Sequence, residues 1–96
     1  MVNLSDFKQS IAGNAPAAEI GDPALQALWY AAKGDWDRAH ELAQSAKGKS
    51  GDWVHAYLHR VEGDLSNAGY WYRRAGKPAH SGELAAEWDE IAVALL

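Results

Sequence analysis

The chain has no cysteine among its 96 residues, which excludes disulfides, thiolate nucleophiles and every cysteine-ligated zinc or iron–sulfur centre. Threonine is missing too, and the remaining β-branched residues are Val2, Val54, Val61, Val93, Ile11, Ile20 and Ile91. Little is left from which to build strands, whereas the 19 alanines favour helix. No apolar run approaches the roughly 18 residues of a membrane-spanning helix, so a soluble protein with no membrane partner is expected. The opening stretch, MVNLSDFKQSIAG, lacks the basic and apolar segments of a secretory signal, which makes the cytoplasm the expected compartment. Hydrophobic residues at 48% against 23% charged separate the chain from disordered sequences. A chain of this length buries about 65% of its unfolded surface, enough for one core, so a single domain over residues 1–96 is expected.

The net charge of −4 is unevenly spread. Residues 81–96 hold Glu83, Glu87, Asp89 and Glu90 with no basic side chain, while residues 23–80 are close to neutral. An acidic chain is poorly suited to neutralising phosphates, and no nucleic-acid partner is expected. The acidic end reads as the solvated face of a helix.

Apolar spacing supports helices throughout. Leu25, Leu28, Trp29 and Ala32 stand at i, i+3, i+4 and i+7, and Val54/Leu58/Val61 and Leu84/Trp88/Ile91/Leu95 form similar stripes. Asp22-Pro23 places an N-cap acceptor before a proline at the first helical position. Gly34-Asp35 and Gly63-Asp64 each pair a left-handed C-terminal glycine with a new N-cap. Six helices are predicted, at 4–12, 23–33, 36–47, 52–62, 65–75 and 82–95, with Ser50 and Ser81 as caps and residues 13–22 as a loop.

Sliding the chain by 29 residues aligns Ala27/Ala56, Gly34/Gly63, Asp35/Asp64, Ala39/Ala68 and Ala46/Ala75. Small residues 5 and 12 places after the glycine lie on one helical face and let the two helices of a hairpin approach closely. Duplicated helical hairpins at a fixed period are the units of solenoids.

The segments GDWDRAHELAQSA (34–46) and GDLSNAGYWYRRA (63–75) resemble the second half of a tetratricopeptide repeat, and the likeness extends over about residues 23–76. The period of 29 is shorter than the family's usual 34, and the helix-A Trp and Leu positions hold Pro23/Asp52 and Gln26/His55. The stretch WVHAYLHRVEGDLSNAGYWYRRAG also looks like small bacterial proteins of this general type, a likeness that brings no activity with it. The resemblance implies an all-α fold: two hairpins (23–47 and 52–75) forming a fragment of a right-handed α–α solenoid, between an N-terminal helix (4–12) and a C-terminal capping helix (82–95). Two repeats need covers at both ends, so the Leu4/Phe7/Ile11 helix is expected at the other end or folded over the groove, and the whole reads as a complete unit.

Sites for chemistry are sparse. His55 and His59 stand at i and i+4 with Glu62 at i+7, an acceptable zinc ligand set. The glutamate of the zincin motif is absent because Ala56 follows His55, and His59 falls where the repeat wants a packing aromatic. A hydrogen-bonded structural pair is therefore expected, with no metal and no other cofactor. His40 and His80 show no partner in sequence. No serine sits at a strand-to-helix elbow, and Asp35/Asp37 and Asp89/Glu90 are accounted for by helix capping and solvation, so no enzyme is expected. In Tyr70-Trp71-Tyr72-Arg73-Arg74, successive rings lie about 100° apart on a helix and cannot make one stacking platform for bases.

A partner groove fits best. In tetratricopeptide repeats the first helix of each hairpin lines the concave face, which by position would include Ala24, Leu28, Ala31, Trp53, Tyr57 and Arg60 here. Trp53, Tyr57 and Arg60 follow i, i+4, i+7, and these residue types dominate binding hot spots. Arg60 there could grip a carboxylate. The expected function is a non-catalytic module binding an unknown protein or peptide through Leu28, Trp53, Tyr57 and Arg60. Homodimerisation through the same surface is the nearest alternative, favoured equally by five tryptophans in so short a chain. A His55/His59/Glu62 metal site, with or without hydrolytic activity, is the third.

Overall fold

Aspartate caps set where three of the helices begin. A computed structural model describes residues 3–13 and 20–96 as six helices: α1 (Leu4–Ala12), α2 (Pro23–Ala32), α3 (Trp36–Ser45), α4 (Lys49–Val61), α5 (Leu65–Ala75) and α6 (Leu84–Leu95). There is no strand among the described residues, and residues 14–19 of the expected 13–22 loop lie outside them. Asp22 accepts from the Ala24 amide at 2.9 Å, and Asp35 and Asp64 accept from the Arg38 and Asn67 amides at 3.1 Å each. These bonds satisfy amides that a helix start leaves without intrahelical partners.

Three boundaries depart from expectation by two residues or more. Helix α4 begins at Lys49 rather than 52, because Gly48 adopts φ 93° and turns the chain early. Ser50 and Asp52 therefore lie within the first turn instead of capping it, where the Asp52 carboxylate favours the helix dipole and stands 3.6 Å from Arg74. Helix α6 starts after Glu83, with no side-chain cap, so Ser81 does not cap it. Helix α3 stops at Ser45 because Ala46 is extended. The early start of α4 brings Gly51 against the end of α3: a Cβ added there would meet the Ala46 carbonyl oxygen at 2.5 Å.

Helices α2 and α3 form one hairpin, α4 and α5 a second, and α3 packs on α4 between them. The 29-residue repeat holds at the level of backbone geometry. Gly34 and Gly63 have φ of 82° and 84°, and Asp35 and Asp64 share φ/ψ of −94°/77° and −93°/80°. Their amides donate to Tyr30 O at 3.0 Å and His59 O at 2.9 Å, which closes the same turn twice. The aligned alanines Ala27/Ala56 and Ala39/Ala68 are buried at the helix interfaces. At the position after the repeated aspartate, Trp36 lies between the hairpins and donates to Leu58 O at 2.8 Å. Its counterpart Leu65 is exposed.

Helix α6 does not stack beyond α5 as a next repeat would. It lies against α2 and α4, burying Trp88, Ile91 and Ala92, and the Trp88 indole donates to Leu28 O at 2.9 Å. Helix α1 then packs on α6, with Phe7 stacked on Trp88 at 5.6 Å and Lys8 paired with Asp89 at 3.0 Å. The face expected to be open, or covered by the N-terminal helix, is covered by α6.

Side chains larger than alanine have little room at the buried Ala39 and Ala68 positions of these hairpins. Ala68→Leu should cost about 1–3 kcal/mol through overpacking. Gly51→Ala should destabilise in the same direction, because the obstructing atoms are backbone. Urea unfolding of both variants checks this, and unchanged midpoints would contradict the packing described.

Candidate functional site

Every side chain of α4 from Trp53 to His59 is buried, and Gly51 with them. The helix therefore presents one face to α6 and another to α3 and α5, and each carries polar groups that need partners.

On the α6 side stand the residues expected to line a groove. Leu28 is fully buried, Trp53 and Tyr57 are each 8% exposed, and Arg60 is held by groups of its own chain. Its Nη1 donates to Glu87 Oε1 at 2.7 Å and its Nη2 to Gly82 O at 2.5 Å. The second oxygen of Glu87 accepts from the Tyr72 hydroxyl. Arg60 thus grips a carboxylate, but one supplied by α6. The expectation that all four C-terminal acids are solvated is corrected by Glu87, whose exposure is 0%. Leu84, Glu87 and Ile91 share one stripe, and the Arg60 and Tyr72 donors make the carboxylate's burial tolerable. Burial and the bond to Glu87 push the Tyr72 phenol well above its ordinary range. Pockets beside α6 include one of about 540 Å³ bordered by Trp53, His80 and Glu87, one of about 360 Å³ bordered by Ile11, Tyr57 and Trp88, and one of about 400 Å³ bordered by Trp53 and Leu95.

The other side of α4 holds a histidine cluster. His55 and His59 are 3% and 6% exposed, and His40, one helix away on α3, is half-buried against both. Ring centroids lie 4.5 Å apart for His40–His55, 4.9 Å for His55–His59 and 5.5 Å for His40–His59. Trp71 stacks on His55 at 3.8 Å, and Trp36 stacks on His40 at 4.8 Å. Glu62 Oε1 lies 2.5 Å from His59 Nδ1. Sequence spacing joined His55, His59 and Glu62 but left His40 without a partner. The structure brings His40 into the cluster and makes Glu62 the hydrogen-bond partner of His59. The missed signal is on α3 itself: Trp36, His40 and Ala43 follow i, i+4, i+7, which places His40 on the inward stripe.

Tyr70, Trp71 and Tyr72 diverge as helical geometry requires. Tyr70 is exposed, Trp71 covers His55, and Tyr72 is buried against Glu87. Arg74 lies over Trp71 at 4.9 Å. No helix formed by the described residues is long and apolar enough to cross a membrane. Compared with protein-family models, curated proteins and solved structures, the chain matches none of them.

Desolvation holds the His55 imidazole down to about 4 from 6.5, reinforced by His40, His59 and Arg74, and burial lowers His40 in the same direction. The unfolded chain therefore binds a proton at His55 that the folded chain refuses between those two values. Stability of the metal-free protein should fall as pH drops from about 6.5 towards 4. His55→Phe should flatten this dependence in thermal melts taken across the window, and an identical slope in the variant would contradict it. On the other face, Arg60→Met leaves Glu87 buried without its cation and should cost about 3–5 kcal/mol in urea unfolding.

Proposed function

We propose that this chain is a non-catalytic helical interaction module of tetratricopeptide type, whose α2/α4 face recognises an amphipathic helix. The observation that carries this reading is the seating of α6 on that face. Its apolar stripe fills the surface, Trp88 donates to the backbone of α2, and Glu87 reaches Arg60 and Tyr72. Apolar burial supplies the affinity of such a contact, and the buried acid selects which helix fits and in which register.

In this reading α6 is the resident occupant, and a partner presents a helix of the same pattern, with an acid one place before a tryptophan. Helix α6 packs more lightly on its neighbours than the helices of each hairpin pack on one another. It is joined to α5 by residues 76–83, which are mostly exposed. Elements of low contact density open before the core does, so α6 is the part able to yield. A second copy offering its own α6 would satisfy the same chemistry and produce an exchanged dimer.

The test is a fluorescent peptide of residues 83–96 titrated into the full-length wild type, Trp88→Ala and Trp88→Ala/Arg60→Met chains, each checked for helicity by circular dichroism. The resident helix competes with the peptide, so weakening it should tighten peptide binding by about tenfold or more. The double variant should lose that gain. Equal affinity in all three, or no saturable binding by folded protein, would contradict the reading.

A further inference from the structure

We propose that His40, His55 and His59 bind one divalent transition-metal ion, zinc fitting the donor set best, with Glu62 orienting His59. This site lies on the side of α4 away from α6 and is independent of the helix-recognition reading.

Proximity is the first argument. One ligand atom from each of the three imidazoles lies within 4.8 Å of the others, and the three come from two neighbouring helices. Tetrahedral zinc, with Zn–N of about 2.0–2.1 Å, sets its nitrogens about 3.3 Å apart, so no pair needs to close by more than about 1.5 Å. His40 is the half-buried member of the three.

Orientation is the second. A metal-ligating histidine commonly donates its other ring N–H to a carboxylate, which fixes the tautomer and raises the basicity of the ligating nitrogen. Glu62 stands in that relation to His59: with Nδ1 engaged at 2.5 Å, the Nε2 lone pair is left for an ion. Trp71 and Trp36 hold the His55 and His40 rings by stacking, and the Trp36 indole is itself tied to Leu58 O. A structural role as hydrogen-bonded core histidines needs polar partners. Among the described residues, no hydrogen bond reaches the ring nitrogens of His40 or His55. A shared ion would engage all three rings together.

Three imidazoles suit zinc, copper, nickel and cobalt rather than magnesium or calcium, which take oxygen ligands. Three protein ligands leave a fourth position for water or an exogenous ligand, on the half-exposed edge beside His40.

The experiment uses the full-length chain without a histidine tag, stripped with chelator, titrated with zinc by calorimetry and with cobalt(II) by visible absorption. One ion per chain is expected, with the intense visible bands of four-coordinate cobalt. His40→Phe and His55→Phe should each weaken zinc binding by about 100-fold or more, and Glu62→Gln by about 10–100-fold. His80→Ala should bind as wild type does. Should His55→Phe fail to fold, His40→Phe decides, because that ring is only half-buried. No saturable uptake by the wild type, or uptake unchanged by His40→Phe, would overturn the proposal.

Discussion

The enclosure of α4 is the constraint on which the other elements depend. A helix with seven consecutive buried residues, Trp53 to His59, has no face left for solvent, so its neighbours must supply both apolar contact and polar partners. They do so from different directions. Helix α3 brings Trp36 to the Leu58 carbonyl and His40 to the imidazoles, α5 lays Trp71 over His55, and α6 brings Glu87 to Arg60. The repeated alanines make these approaches short enough to work, since bulkier side chains at Ala39 or Ala68 would separate the helices that carry the polar groups.

The two polar systems on α4 differ in kind. Arg60, Tyr72 and Glu87 form a closed set, in which the carboxylate oxygens are taken by a cation and a phenol. Such a set adds little net stability over an apolar packing of the same shape, and in the proposed reading its value lies in selecting one helix in one register. The histidine cluster is open: one ring is anchored by Glu62, while the other two are placed by stacking and face one another. A closed set suits recognition of a complementary helix, and an open set of imidazoles suits an ion. Both proposals follow from that contrast, and neither draws on the residues of the other.

Much of the fold was legible because short-range chemistry dictates it. The aspartate caps at 22, 35 and 64 and the left-handed glycines at 34 and 63 act through neighbours a few positions away, and the small residues of the 29-residue repeat act across the hairpins that those turns close. What was not legible depends on the partner across space. Glu87 was grouped with Glu83, Asp89 and Glu90 by charge, although its spacing from Leu84 and Ile91 places it on the apolar stripe; only Arg60 and Tyr72, from other helices, make burial there tolerable. Trp53, Tyr57 and Arg60 did share a ridge, but periodicity cannot say which helix covers it. His40 joined the cluster for a similar reason, since the spacing of His55 and His59 reports on one helix and the third ring comes from the next.

The central claim is that α4 forms a fixed centre and α6 a separable occupant of one of its faces. Native-state hydrogen exchange across low urea concentrations tests it most directly. The α4 amides from Val54 to Leu58 should exchange only through global unfolding, while those of α6 from Trp88 to Ala92 should exchange through an opening of lower free energy and smaller urea dependence. Exchange of both helices through one global opening, with equal free energy and equal urea dependence, would contradict the account.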